Sequence, residues 1–253
     1  MDPSPLFEFF KRGEAARDVR LLAAQGGLGV GANEQLAILV LLLNDQDPEI
    51  RNTADQTMNR IPSDVLSRFL ARSDVPIGIR EFFADRGIFP ADDAAADAEQ
   101  PLVEAEQDDM FAAADEDEDK ESVSQKIAAM SMPEKLRAAT KGTKEMRALL
   151  VRDPNKMICA AVMSSPKLTP QEVEAIARMA SVSEDVLRII GSKRSWMKNY
   201  KVAAGLIRNP KTPIALSLNL LHRMNDKDTA TLAVDRNVPE QLRIAAKKKA
   251  TKP

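Results

Sequence analysis

Apolar residues recur along this chain every three or four positions, in short runs broken by polar turns that often carry a proline. This spacing predicts amphipathic helices, and no stretch shows the sustained apolar–polar alternation of a strand. The pattern places helices at Leu6–Phe10, Ala15–Gln25 and Glu34–Leu43, the last with Asn33 as N-cap. Further helices start at Asp47-Pro48, Pro62-Ser63 and Val75-Pro76, and the last of these shows an apolar face of Ile79, Phe82 and Phe83. Between the second and third helices lies Gly-Gly-Leu-Gly-Val-Gly over residues 26–31. No strand precedes it and no lysine follows it, so it reads as a flexible interhelical turn, not a phosphate loop. The helical pattern resumes near Ser122. Ser131 and Glu134 form a capping-box signature, and helices follow at Lys144–Val151, Asn155–Met163, Pro170–Met179 and Ser183–Ile190. Trp196–Arg208, Pro213–Met224, Lys227–Val234 and Pro239–Lys248 complete the series. The expected fold class is all-α.

Parts of the pattern repeat. Asn155–Pro166 aligns with Asn199–Pro210, matching Asn155/Asn199, Ala160/Ala204 and Pro166/Pro210, while Ile158, Val162 and Met163 fall on Val202, Leu206 and Ile207. A second pattern occurs three times, at Leu70–Arg80, Ile176–Arg188 and Leu232–Arg243: Leu or Ile followed by Ala, a short polar turn, Val, then Pro or Ser opening a new helix that carries Arg. Short loops imply antiparallel neighbours, and no single helix pair could bury its own apolar stripe, so the pairs must stack. The stretches VAAGLIRNPKTPIALSLNLL and LAVDRNVPEQLRIAAKK resemble the HEAT-like and leucine-rich-repeat-variant α-solenoids of bacteria. The resemblance covers about Asn155–Lys249 and, less fully, Glu34–Gly87. It implies a C-terminal HEAT-like α-superhelix and supplies no functional site.

Charge divides the chain. Residues 1–90 carry a net −3, the segment from Ala91 to Ser124 carries 14 acids against Lys120, and residues 125–253 carry a net +14. The stretch 91–121 is rich in alanine and acid and cannot bury enough apolar surface to offset its ordering entropy. The expected organisation is therefore a helical N-terminal module over 1–90, a disordered acidic linker over 91–121 and the repeat domain over 122–253. Met110-Phe111 inside the linker read as isolated apolar residues, with a docking motif as the sharper alternative. Tethered beside a basic domain, the linker is also expected either to mask that domain or to serve as a solvating spacer. The longest apolar run, Leu36–Leu43, is far shorter than the roughly 20 residues of a membrane span. The start lacks the basic and apolar regions of a secretory signal, and one cysteine suits a reducing cytoplasm.

Candidate chemistry is sparse. A single histidine, His222, and a single cysteine, Cys159, do not make a zinc site. Cys159 aligns with Ala203, which predicts a small core residue, and His222 is expected at a helix end. Glu172/Glu174 and Glu184/Asp185 stand two and one apart, spacings that do not share a helix face, and Asp226, Asp228 and Asp235 read as capping residues of turns. With no nucleophile, nucleotide or metal motif, no catalytic residue, cofactor or metal is assigned, and the chain is expected not to be an enzyme. The distinctive stretch is Ser192–Lys201, which holds Lys193, Arg194, Lys198 and Lys201 with the only Trp (Trp196) and the only Tyr (Tyr200). Four residues apart, these aromatics are expected to share a helix face. With Arg208, Lys211 and Arg223 they form a candidate partner-binding ridge, weighed against ordinary packing beneath a solvated face. The expected function is a non-catalytic protein-interaction scaffold engaging a partner through an acidic peptide, with nucleic-acid or phosphate binding as the alternative.

Overall fold

A computed structural model describes residues 4–93, 100–104 and 120–251, and every regular element among them is a helix. The first six are α1 (Pro5–Lys11), α2 (Arg17–Ala24), α3 (Ala32–Leu42), α4 (Pro48–Asn59), α5 (Ser63–Leu70) and α6 (Ile77–Ala84). After residues 105–119 come α7 (Lys120–Ala129), α8 (Met132–Lys141), α9 (Lys144–Leu150) and α10 (Lys156–Met163). The rest are α11 (Pro170–Arg178), α12 (Glu184–Ser192), α13 (Arg194–Met197), α14 (Tyr200–Arg208), α15 (Ile214–Leu221), α16 (Asp226–Val234) and α17 (Glu240–Ala250).

Local signals set most of these boundaries. Asp47 caps α4 by accepting from the Glu49 amide at 2.9 Å, with Pro48 in the first turn. Ser131 and Glu134 close the capping box on α8, and Thr169 with Glu172 closes a second on α11. Two expectations need correction. Gly31, not Asn33, stands at the N-cap of α3, and Asn33 lies inside the helix with its amide donating to Asp74 at 3.3 Å. The helix expected over Trp196–Arg208 is two helices. Asn199 caps α14 by accepting from the Lys201 amide at 2.9 Å, so its side chain competes for the backbone bond that would have joined them.

The chain forms two compact units. The first runs to Leu150 and takes up Met157–Lys167; the second holds Val151–Lys156 and continues from Leu168. The sequence reading put a boundary at 121/122, yet α7 to α9 and the body of α10 belong with α1 to α6. Charge composition marks the acidic stretch but does not report which helices pack. Here α8 packs on α2, and the Thr140 hydroxyl donates to the Leu28 carbonyl at 2.6 Å. In the first unit α2, α3 and α4 pack on one another and α1 on α3, around Leu6, Leu36, Leu39, Ile50 and Ala54, all fully buried. From Met157 to Met163 every residue of α10 is buried, as its all-round apolar composition requires.

The second unit is built from helix pairs α11/α12, α14/α15 and α16/α17, with α13 as a short link. α16 and α17 pack most extensively on each other, and successive pairs are joined by α11 and α12 to α14, then α15 to α17. Both sequence repeats have structural counterparts. The valine before each new helix in the threefold pattern, Val75, Val182 and Val238, is buried in every copy. It is followed by the N-cap residue, Pro76, Ser183 or Pro239, so these prolines stand one position earlier than expected.

Residues 94–99 and 105–119 of the expected disordered linker, Met110-Phe111 and the masking role among them, lie outside the described residues. Within the same stretch, Pro101–Glu104 is placed against the first unit, with Val103 buried. The reason is a specific polar partner, Gln35, which composition does not reveal.

Candidate partner-binding surface

The nine candidate residues all lie in the second unit. Lys193 ends α12, Arg194 opens α13, and the Lys193 Nζ lies over the Trp196 ring, 4.1 Å from the centroid. Trp196 is half-buried and the next residue, Met197, is buried, so α13 is anchored through its C-terminal half. Trp196 and Tyr200 do not share a helix face, because Asn199 starts a new helix between them. Lys198 and Lys201 are exposed on either side of that break.

Tyr200 and Arg208 stand two turns apart on α14, and both reach Asp228 in the first turn of α16. The Asp228 carboxylate accepts from the tyrosine hydroxyl and from the guanidinium, and the same hydroxyl accepts from the Asn225 amide at 3.3 Å. Donation to Asp228 is the main cause that holds the Tyr200 phenol above its ordinary value of 10.0. Asp228 is therefore the carboxylate that neutralises Arg208, a role beyond the capping read from sequence. Arg223 is likewise engaged, donating to the Met197 carbonyl at 2.5 Å.

The remaining cations, Arg194, Lys198, Lys201 and Lys211, are exposed and have no ion-pair partner among the described residues. Lys211 borders a shallow open recess with Glu184, Arg188 and Thr212. Glu184 pairs with Arg188 within α12, so the recess carries both signs of charge.

The turn carrying Lys211 is held by the residue before the repeat's proline. Asn209, buried, donates to the Ala177 carbonyl at 2.9 Å and the Met179 carbonyl at 3.0 Å, tying the end of α14 to the end of α11. Its oxygen accepts from the Lys211 amide at 3.0 Å. The equivalent residue of the other copy, Ser165, donates to the Thr140 carbonyl at 2.6 Å and accepts from the Lys167 amide at 3.2 Å. Two different side chains thus perform one structural task at aligned positions. Cys159 is buried with its thiol directed at the Leu150 carbonyl, and His222 is the exposed C-cap of α15. Comparison with protein-family models, with characterised proteins and with solved structures returns no match. Among the described residues no helix is long and apolar enough to cross a membrane.

Sequence reasoning missed three participants. Asp228 could have been found by pairing it with Arg208, but their proximity depends on how α14 and α16 pack. Lys249 reaches the end of α15 and the turn after it, donating to the carbonyls of Leu221 at 2.8 Å and Met224 at 2.6 Å. The break at Asn199 was legible, since the aligned Asn155 also directly precedes its helix.

Proposed function

We propose that the chain is a non-catalytic, cytoplasmic adaptor whose HEAT-like helix pairs present a basic surface to an acidic peptide of a protein partner. The observation that carries this reading is the set of exposed cations Arg194, Lys198, Lys201 and Lys211, without ion-pair partners among the described residues, in the unit that also holds the half-buried Trp196. A rigid helical support limits the entropy lost when such a surface engages a ligand. Tyr200, Arg208 and Arg223 act as internal fasteners of that support.

The net +14 of residues 125–253 favours a second reading, contact with nucleic-acid phosphates. A salt series on the full chain separates the two, using a dye-labelled glutamate-rich peptide and mixed-sequence duplex and single-stranded DNA as probes. The adaptor reading expects the peptide to bind at moderate salt, with binding lost on the double reversal Lys198→Glu, Lys201→Glu. Peptide binding that ignores this reversal, or salt-sensitive DNA binding without peptide binding, overturns it.

A further inference from the structure

In the first unit a buried side chain, Gln35, joins the glycine-rich turn to residues 102 and 103. Gln35 is 4% exposed, and its side-chain amide grips the main chain of Leu102 and Val103. Its oxygen accepts from the Leu102 amide at 2.7 Å and the Val103 amide at 3.1 Å, and its nitrogen donates to the Val103 carbonyl at 2.5 Å. These bonds read backbone, so they fix the course of a chain that bends at Leu102 without demanding a particular side chain there. Selectivity comes from the neighbouring contacts. The Val103 side chain is buried, and the Glu104 carboxylate stands 3.8 Å from the Lys141 ammonium.

The turn is shaped for this segment. Residues 26–30 are all buried, and Gly26 and Gly29 hold φ of +77° and +62°, which side-chain-bearing residues rarely adopt. A Cβ on Gly26 would lie 3.3 Å from the Val103 carbonyl oxygen, and one on Gly29 would stand 2.4 Å from the Lys141 side chain. The missing side chains therefore make room for the ligand's backbone and for the lysine that meets its acid. Gln35 itself is a polar group buried inside an apolar helix, and its hydrogen-bonding capacity is met by main chain from a segment distant in sequence.

We propose that Gln35, Lys141 and the turn over residues 26–31 form a docking slot for a short, bent segment of a partner protein. The segment reads any residue, Val or Ile, then an acid, and the chain's own Leu102–Glu104 is the slot's internal competitor. The internal segment is short: a few neutral hydrogen bonds, one buried valine and one ion pair with an exposed carboxylate oppose the ordering of its backbone. Its advantage is tethering, so a partner segment competes once it adds contacts beyond these three residues. The site is independent of the basic surface, and failure of either leaves the other standing.

The test uses the full chain and a dye-labelled, end-capped peptide with the sequence of residues 100–104. Val103→Asp evicts the internal segment, and a second variant replaces residues 100–104 with Gly and Ser in case the first does not fold. The peptide is expected to bind an emptied slot at least about tenfold more tightly than the wild-type chain, because tethered competition is gone. Adding Gln35→Leu to the emptied chain should cost at least about tenfold in affinity. Reversing the peptide's Glu should weaken binding, and Lys141→Glu should restore it. Equal binding of a scrambled peptide, or no binding to either emptied chain while circular dichroism shows it folded, overturns the proposal. A wild-type chain that dimerises in sedimentation equilibrium, and stays monomeric as Gln35→Leu, overturns it in favour of exchange between copies.

Discussion

The hydroxyl of Tyr200 donates to the carboxylate of Asp228, and this bond ties the start of α14 to the first turn of α16. Arg208 reaches the other oxygen of the same carboxylate, so one acid organises an aromatic and a cation that sequence placed on a binding ridge.

Because Tyr200 is the only tyrosine, its ionisation can be followed alone by ultraviolet absorbance. The phenol is held above 10.0, chiefly by its bond to Asp228, so the folded state keeps the proton longer than the unfolded one. Its contribution to stability is present below pH 10.0 and is lost as pH rises through the folded value. Asp228→Asn should move the titration midpoint down, and an unchanged midpoint would remove this account. The same substitution frees Arg208 and should strengthen binding of the glutamate-rich peptide, most at low salt.

Asn209→Ala should destabilise the second unit by about 1–3 kcal/mol, since the Ala177 and Met179 carbonyls lose a buried donor. Ser165→Ala in the aligned position removes a single bond to Thr140 and should cost less, about 0.5–1.5 kcal/mol. Urea denaturation of both variants decides the matter. A larger loss at Ser165 than at Asn209 would contradict the shared fastening role.

Gly13 and Gly29 have similar positive φ, +71° and +62°, but different surroundings. Nothing lies within 4 Å of a Cβ on Gly13, so Gly13→Ala should cost only the left-handed backbone penalty, roughly 1–2 kcal/mol. Gly29→Ala must also displace the Lys141 side chain and should lower the melting temperature further. Equal melting temperatures for the two variants would show that the turn relaxes without resisting the added methyl.

Acid should loosen the helix starts. Glu134 is held below its ordinary 4.5 first by the Ser131 hydroxyl and then by the Ser131 amide. Asp47 is held below 3.8, first by the Glu49 amide. A lowered carboxylate contributes stability above its unfolded value and loses it as pH falls through the folded one. Glu134→Gln should therefore flatten the pH dependence of stability below 4.5 while leaving the profile near neutrality parallel to wild type. A profile as steep as wild type below that pH would rule the capping carboxylate out.

The sequence by itself determined the helices and most of their ends, because apolar spacing, Asp47-Pro48 and the Ser131–Glu134 box act within a few residues of where they stand. It also determined the repeat, down to the buried valines before α6, α12 and α17 and the core position of Cys159. Which helices belong together was decided only in three dimensions, for α8 packs on α2 and its Thr140 bonds Leu28 in the turn after α2, across a long chain separation. The same holds for the candidate sites. Asp228 silences Arg208, and Gln35 captures Val103, through pairs of residues 20 and 68 apart along the chain. Local periodicity describes a residue's own helix, whereas the hydrogen-bond partner of a buried or half-buried polar group is set by which other segment the packing brings to it.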